Sequence, residues 1–112
     1  MLLVYEKQQS SFDIAMKCAL ECEYCAQVCM QNPEMLQCAR ICLDCAEICR
    51  TAVTYMVRGC RFINHLAKAC AEICQTCAEE CASHDLDYCQ KCANVCHETV
   101  EQYRTIASVA SI

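Results

Sequence analysis

Small apolar positions recur along the chain at spacings of four, three and four, with polar residues between them. Cys18, Cys22, Cys25 and Cys29 set the pattern; Cys38, Cys42, Cys45 and Cys49 repeat it, as do Cys70, Cys74, Cys77 and Cys81. A shortened copy follows at Cys89, Cys92 and Cys96. At 100° per residue, four such positions stay within roughly a 60° arc of one helix face. This is the period of a helix packed through a narrow seam, not that of a strand.

The breakers between the copies divide the chain into four helices. Residues 1–9 read as a flexible lead-in, and Ser10 or Ser11 is placed to cap a first helix over 11–31, which Asn32-Pro33 ends. A second helix over 34–58 stops at Gly59, the only glycine. A third spans 61–82. Ser83-His84-Asp85 then supplies turn and cap chemistry for a fourth over 86–108, with a loose tail at 109–112.

Four helices on short connections predict an all-α, antiparallel up-down-up-down four-helix bundle forming a single domain over 1–112. The cysteines occupy the C-terminal half of the first and third helices and the N-terminal half of the second and fourth. Antiparallel packing therefore brings all four ladders to one end, as a thiol-lined tube about 20 Å long from the helix rise. The other end reads as ordinary apolar packing by Phe12, Val53, Val57, Phe62, Ile63, Leu66, Val100, Tyr103 and Ile106. Ala follows the first and third Cys of each full ladder, which lets the helices approach closely.

Composition sharpens the picture. Sixteen Cys among 112 residues point to a disulfide scaffold or a metal protein. Disulfide scaffolds place Cys in turn-rich loops, whereas these thiols lie side by side on helix faces, with Cβ vectors ill-suited to pairing. The N-terminus has no basic leader and only a brief apolar run, so neither an export signal nor a membrane span is expected. A reducing cytoplasm follows as the expected location. A formal charge of −5 argues against nucleic acid as a partner.

A core of thiols needs a reason beyond packing. Replacing core Leu by smaller residues costs about 2–5 kcal/mol each, so a tube without large aliphatics is underfilled unless something occupies it. Thiolates select soft metals: Cu(I), zinc or iron–sulfur clusters. Zinc sites use four tetrahedral ligands, commonly two pairs rather than long rows. Cluster signatures carry a C-x₂-C-x₂-C run, which is absent here. Cu(I) accepts two or three thiolates, and one monovalent ion per thiolate neutralises the tube. A load on the order of ten to sixteen ions follows from the thiol count.

The C-A-x-x-C-x-x-C-A-x-x-C repeats, with Ser83-His84-Asp85 before the last ladder, resemble the cysteine-rich four-helix-bundle copper storage proteins, over roughly residues 11–103. The lack of a leader is similar to the cytosolic type. The resemblance implies many Cu(I) ions along the bundle axis and association into a homotetramer; a copper donor or acceptor protein is the expected partner. No general base or substrate pocket is visible, so catalysis is not expected. Two alternatives stay open: an iron–sulfur or thiol redox protein of ferredoxin-like kind, and zinc sequestration.

The expected metal ligands are the fifteen ladder cysteines. Extending the ladders outward gives Ala15 and Ser11 on the first helix and Thr99 and Tyr103 on the fourth, so Tyr103 is placed to plug the far end. Cys60 lies alone near the second turn, where a minor site with Met56 stands against the favoured reading of a plain structural or surface thiol. At the loop end, Met30, Met35, His84, Asp85 and Asp87 surround the mouth. Met35, His84 and Asp85 are candidate ligands for incoming metal, Asp85 occupying the slot of a missing fourth Cys. Against this stand a gap-filling role for Met35 and a helix cap for Asp85. His65 and His97 point away from their ladders. Cys92-Ala93-Asn94-Val95-Cys96-His97 is one residue too long for haem attachment.

Overall fold

In the computed structural model, which describes residues 9–108, four helices account for most of the described residues. They are α1 (Gln9–Cys29), α2 (Leu36–Arg58), α3 (Ile63–Ala82) and α4 (Asp87–Ser108), with a 3₁₀ turn at Pro33–Met35. Consecutive helices pack on each other, and α4 closes the ring against α1. This is the expected up-down-up-down bundle, 45 × 19 × 17 Å in extent. No described helix is long and apolar enough to cross a membrane.

The connections are short because local chemistry makes them so. After α1, Asn32 N donates to Cys29 O, and Asn32 Oδ1 accepts from Glu34 N at 3.0 Å. Pro33 then fits the first turn of the 3₁₀ segment, where an N–H has no partner anyway. Gly59 adopts φ 62° and ψ 40°, the left-handed region that a side chain disfavours. Its N–H reaches Met56 O and the Cys60 N–H reaches Tyr55 O, a Schellman closure of α2.

Several expectations need adjustment. Neither Ser10 nor Ser11 precedes the first helix, which already begins at Gln9. Ser11 Oγ instead donates to Gln102 Oε1 on α4 at 2.9 Å, joining the two helices near the far end. The second and third helices start two residues later than expected. Val57 and Phe62 are half exposed rather than core, since both flank the Gly59 turn that carries the chain from one helix to the next. The expected loose segments at 1–8 and 109–112 lie outside the described residues.

At the far end, Phe12, Met56, Ile63, Val100, Tyr103 and Ile106 are buried as a conventional apolar core. The half nearer the Asn32 and His84 turns is different. There the buried interior is built almost wholly of Cys and Ala.

Candidate metal centre

All fifteen ladder cysteines are fully buried. The alanines beside them (Ala19, Ala26, Ala39, Ala46, Ala78 and Ala93) are buried too, and their small side chains let the helices close on the thiol seam. Cys60 is only half-buried and follows Gly59, outside the ladders.

Most of the ladder sulfurs form a continuous network, while Cys70 Sγ donates to Ile48 O at 3.9 Å. Along one helix, Cys18 and Cys22 lie 4.0 Å apart and Cys25 and Cys29 3.9 Å. Across helices, Cys45–Cys74 is 3.2 Å, Cys42–Cys81 3.6 Å, and Cys22 lies 3.7 Å from both Cys92 and Cys96. Cys18 reaches Cys96 at 3.8 Å, and Cys38 reaches Cys81 at 3.8 Å. All sixteen cysteines are free thiols. An ion held at about 2.3 Å by three thiolates needs sulfurs roughly 4 Å apart, using the zinc–thiolate bond length as a guide. The spacings are thus close to those a metal requires.

Compact four-thiol sets follow one another along the axis, five of which trace its length. From the loop end they are Cys25/Cys29/Cys38/Cys89, Cys25/Cys42/Cys81/Cys92, Cys22/Cys77/Cys92/Cys96, Cys18/Cys22/Cys45/Cys96 and Cys18/Cys45/Cys49/Cys74. Each set shares at least one thiol with the next. Isolated tetrahedral zinc sites cannot all be filled when their ligands are shared in this way. Sulfurs this close also leave no room between them for an iron–sulfide core. An array of ions bridged by common thiolates fits the overlap.

Charge gives the same answer. Among the described residues, the buried polar or charged side chains are Ser11 and Thr99, and neither is ionic. Any thiolate formed in the tube must therefore be balanced by a bound cation. Without one, burial opposes ionisation. It pushes Cys70 up to about 12, with Cys49 adding to the effect, and Cys89 up to about 12, with Cys38 and Cys29 adding. Deeper in, the thiols divide the proton load. Donation from Cys22 and Cys45 favours the Cys18 thiolate, while Cys18 in turn holds Cys22 protonated.

The two ends differ. At the loop end Met35 is buried and Met30 is exposed. His84 Nε2 lies 2.7 Å from Glu80 Oε2, with both side chains about a quarter exposed. Gln90 Nε2 donates to Ala82 O at 3.1 Å and His84 O at 2.8 Å, pinning the loop before α4. Asp85 is exposed and precedes the helix that starts at Asp87, so it stands outside the ladder register. His65 and His97 are exposed, away from the tube.

At the far end Thr99 Oγ1 bonds back to Val95 O at 2.7 Å, and Tyr103 is wholly buried beside Cys49 and Cys70. Burial, followed by the neighbouring Cys49 and Cys70, holds the Tyr103 phenol protonated. Among the described residues its hydroxyl nevertheless has no hydrogen-bond partner in good geometry.

Two residues at the loop end escaped the sequence reasoning. Glu80 sits one turn before His84, a spacing that could have flagged it. Tyr88 is half-buried, and burial plus the neighbouring Cys29 and Cys89 push its hydroxyl up to about 12. Its place immediately before the first thiol of α4 was the available signal.

The model of the copper storage protein family matches residues 4–108. No curated protein sequence matches. Among solved structures, the chain is similar to the Cu(I)-bound copper storage protein BsCsp3, with a TM-score of 0.86 and 32% identity over 90% of this chain and 98% of that one. It is similar to apo copper storage protein 3 from Bacillus subtilis at a TM-score of 0.85 and 33% identity, covering 90% and 99%. The fold also matches a cytosolic copper storage protein from Streptomyces lividans carrying five coppers, with a TM-score of 0.84 and 23% identity over 98% and 99%.

Proposed function

The chain belongs to the copper storage protein family, and from that premise we propose how its core takes and holds the metal. It stores copper as Cu(I), many ions to a chain, on thiolates inside the bundle. The ligands are Cys18, Cys22, Cys25, Cys29, Cys38, Cys42, Cys45, Cys49, Cys70, Cys74, Cys77, Cys81, Cys89, Cys92 and Cys96. The observation that carries this assignment is the overlap of successive four-thiol sets. Shared sulfurs suit a bridged array of monovalent soft ions, each displacing a thiol proton and balancing the thiolate it creates.

Copper enters at the loop end. Met35 and His84, both at the loop end, offer a thioether and an imidazole, and exposed Asp85 attracts the cation. These groups hold Cu(I) less firmly than paired thiolates, so they pass it inward. Cys60 stays outside the store. The storage role is one of binding, with no reaction catalysed.

A store of free thiols suits a reducing compartment, which supports the cytoplasm as its location. Met16, Leu20 and Tyr24 form an exposed apolar row on α1, which supports packing of bundles into a homo-oligomer, with a tetramer as the expected state. A donor or acceptor protein exchanges copper at the mouth.

X-ray absorption at the copper edge of the loaded protein tests the assignment. It predicts a sulfur-dominated shell and close copper neighbours. A shell dominated by nitrogen or oxygen, or isolated ions, would count against it.

A further inference from the structure

Tyr103 occupies the fourth-helix position that continues the Cys89–Cys92–Cys96 ladder, two steps beyond its last thiol. Its side chain is among the largest that are wholly buried. The ring alone accounts for the plug, and Phe would fill the same space. The hydroxyl is therefore the feature to explain: among the described residues no partner meets it in good hydrogen-bond geometry, and the thiols of Cys49 and Cys70 beside it are weak acceptors, a state that is costly in a protein interior. The ionisable groups around it are Cys49, Cys70 and Cys74, the thiols at the closed end of the tube. A protonated thiol is a weak acceptor, whereas a thiolate is a strong one.

Resting on the storage reading above, we propose that the Tyr103 hydroxyl is a built-in donor for the loaded state, hydrogen-bonding a copper-bound thiolate of Cys49 or Cys70. The apoprotein carries an orphaned donor at the point where negative charge develops when Cu(I) displaces the thiol protons. Loading satisfies it. Copper at the closed end is thereby held more firmly than copper near the mouth, and the hydroxyl acts as a positioning residue for the innermost sulfurs rather than as a ligand. The gradient favours filling from the bottom of the tube and emptying from the top.

Tyr103→Phe separates ring from hydroxyl. In the apoprotein the variant is expected to be at least as stable as wild type, because an unsatisfied group is removed. Its total Cu(I) capacity is unchanged. The most tightly held fraction is expected to pass to a competing chelator about tenfold more readily, the weight of one charge-assisted hydrogen bond. In wild type, NMR of this diamagnetic system is expected to show the Tyr103 hydroxyl proton moving downfield on loading, a measurement that does not depend on any variant folding. A hydroxyl resonance unmoved by loading, or chelator competition identical in Tyr103→Phe and wild type at full capacity, overturns this inference alone. An apoprotein destabilised by Tyr103→Phe also overturns it, since the hydroxyl would already have a partner. A wild-type capacity of one or two ions overturns the storage reading with it.

Discussion

Cys45 on α2 and Cys74 on α3 bring their sulfurs within 3.2 Å, and both remain free thiols. They are held there by two helices that pack on each other and bury Ala46 and Ala78, so contact between thiols comes from packing rather than from a covalent bond. The same contact places Cys74 in the closed-end set with Cys18, Cys45 and Cys49.

Removing thiols from the middle and the closed end should lower storage in proportion. The double variant Cys42→Ala with Cys74→Ala is expected to bind about two fewer ions per chain, at roughly one Cu(I) per thiolate. Far-ultraviolet circular dichroism checks that the bundle is intact. An unchanged capacity would mean that the ions lie elsewhere.

The mouth makes a kinetic prediction. Replacing Met35 by Leu and His84 by Ala should slow Cu(I) uptake several-fold while leaving capacity at saturation close to wild type. Stopped-flow uptake from a chelator reads the rate, and equilibrium titration reads the capacity. Unchanged rates would remove these residues from the route. The Glu80–His84 contact adds a finer expectation: Glu80→Gln, which weakens the hold on the imidazole, should alter the same rate without touching capacity.

Stability should depend on pH in opposite ways with and without metal. In the unfolded chain, thiols ionise above about pH 8.5. In the folded apoprotein, burial keeps Cys70 and Cys89 protonated to about 12. Between those limits the folded state binds more protons than the unfolded one, so stability present below pH 8.5 is lost as pH rises. The melting temperature of reduced apoprotein should therefore fall through the alkaline range. Loaded protein has already lost these protons to the metal. Its vulnerability lies at low pH, where protons compete for the thiolates and release copper.

The alanines give a test of the packing argument. Ala46 is fully buried where α2 meets its neighbours. Ala46→Leu should cost about 1–3 kcal/mol of apoprotein stability by overpacking. Denaturant unfolding under reducing conditions measures it. A neutral effect would show that the helices have slack at the seam.

Much of this was legible before the structure. The recurrence of Cys at four, three and four places all four thiols of a ladder on one face whatever the neighbours do, and Asn32-Pro33 and Gly59 mark the turns by backbone chemistry alone. Antiparallel topology then makes the ladders coincide. Ser11 shows where sequence reasoning fell short: serine near a helix start looks like a cap, yet its partner is Gln102, 91 residues away. Val57 and Phe62 carry core-like side chains, but their exposure depends on how the Gly59 turn leaves the bundle. Asp85 follows the ladder's arithmetic while lying outside the helix that the arithmetic assumes. The sharing of thiols between successive sets depends on the stagger between helices, which no single-helix periodicity contains.

The central claim is that the bundle holds a store rather than a site. Titrating anaerobic, fully reduced protein with Cu(I) against a competing chelator tests it most directly. The thiol array predicts saturation on the order of ten to sixteen ions per chain, with sulfur as the dominant ligand. Saturation at one or two ions per chain would contradict it.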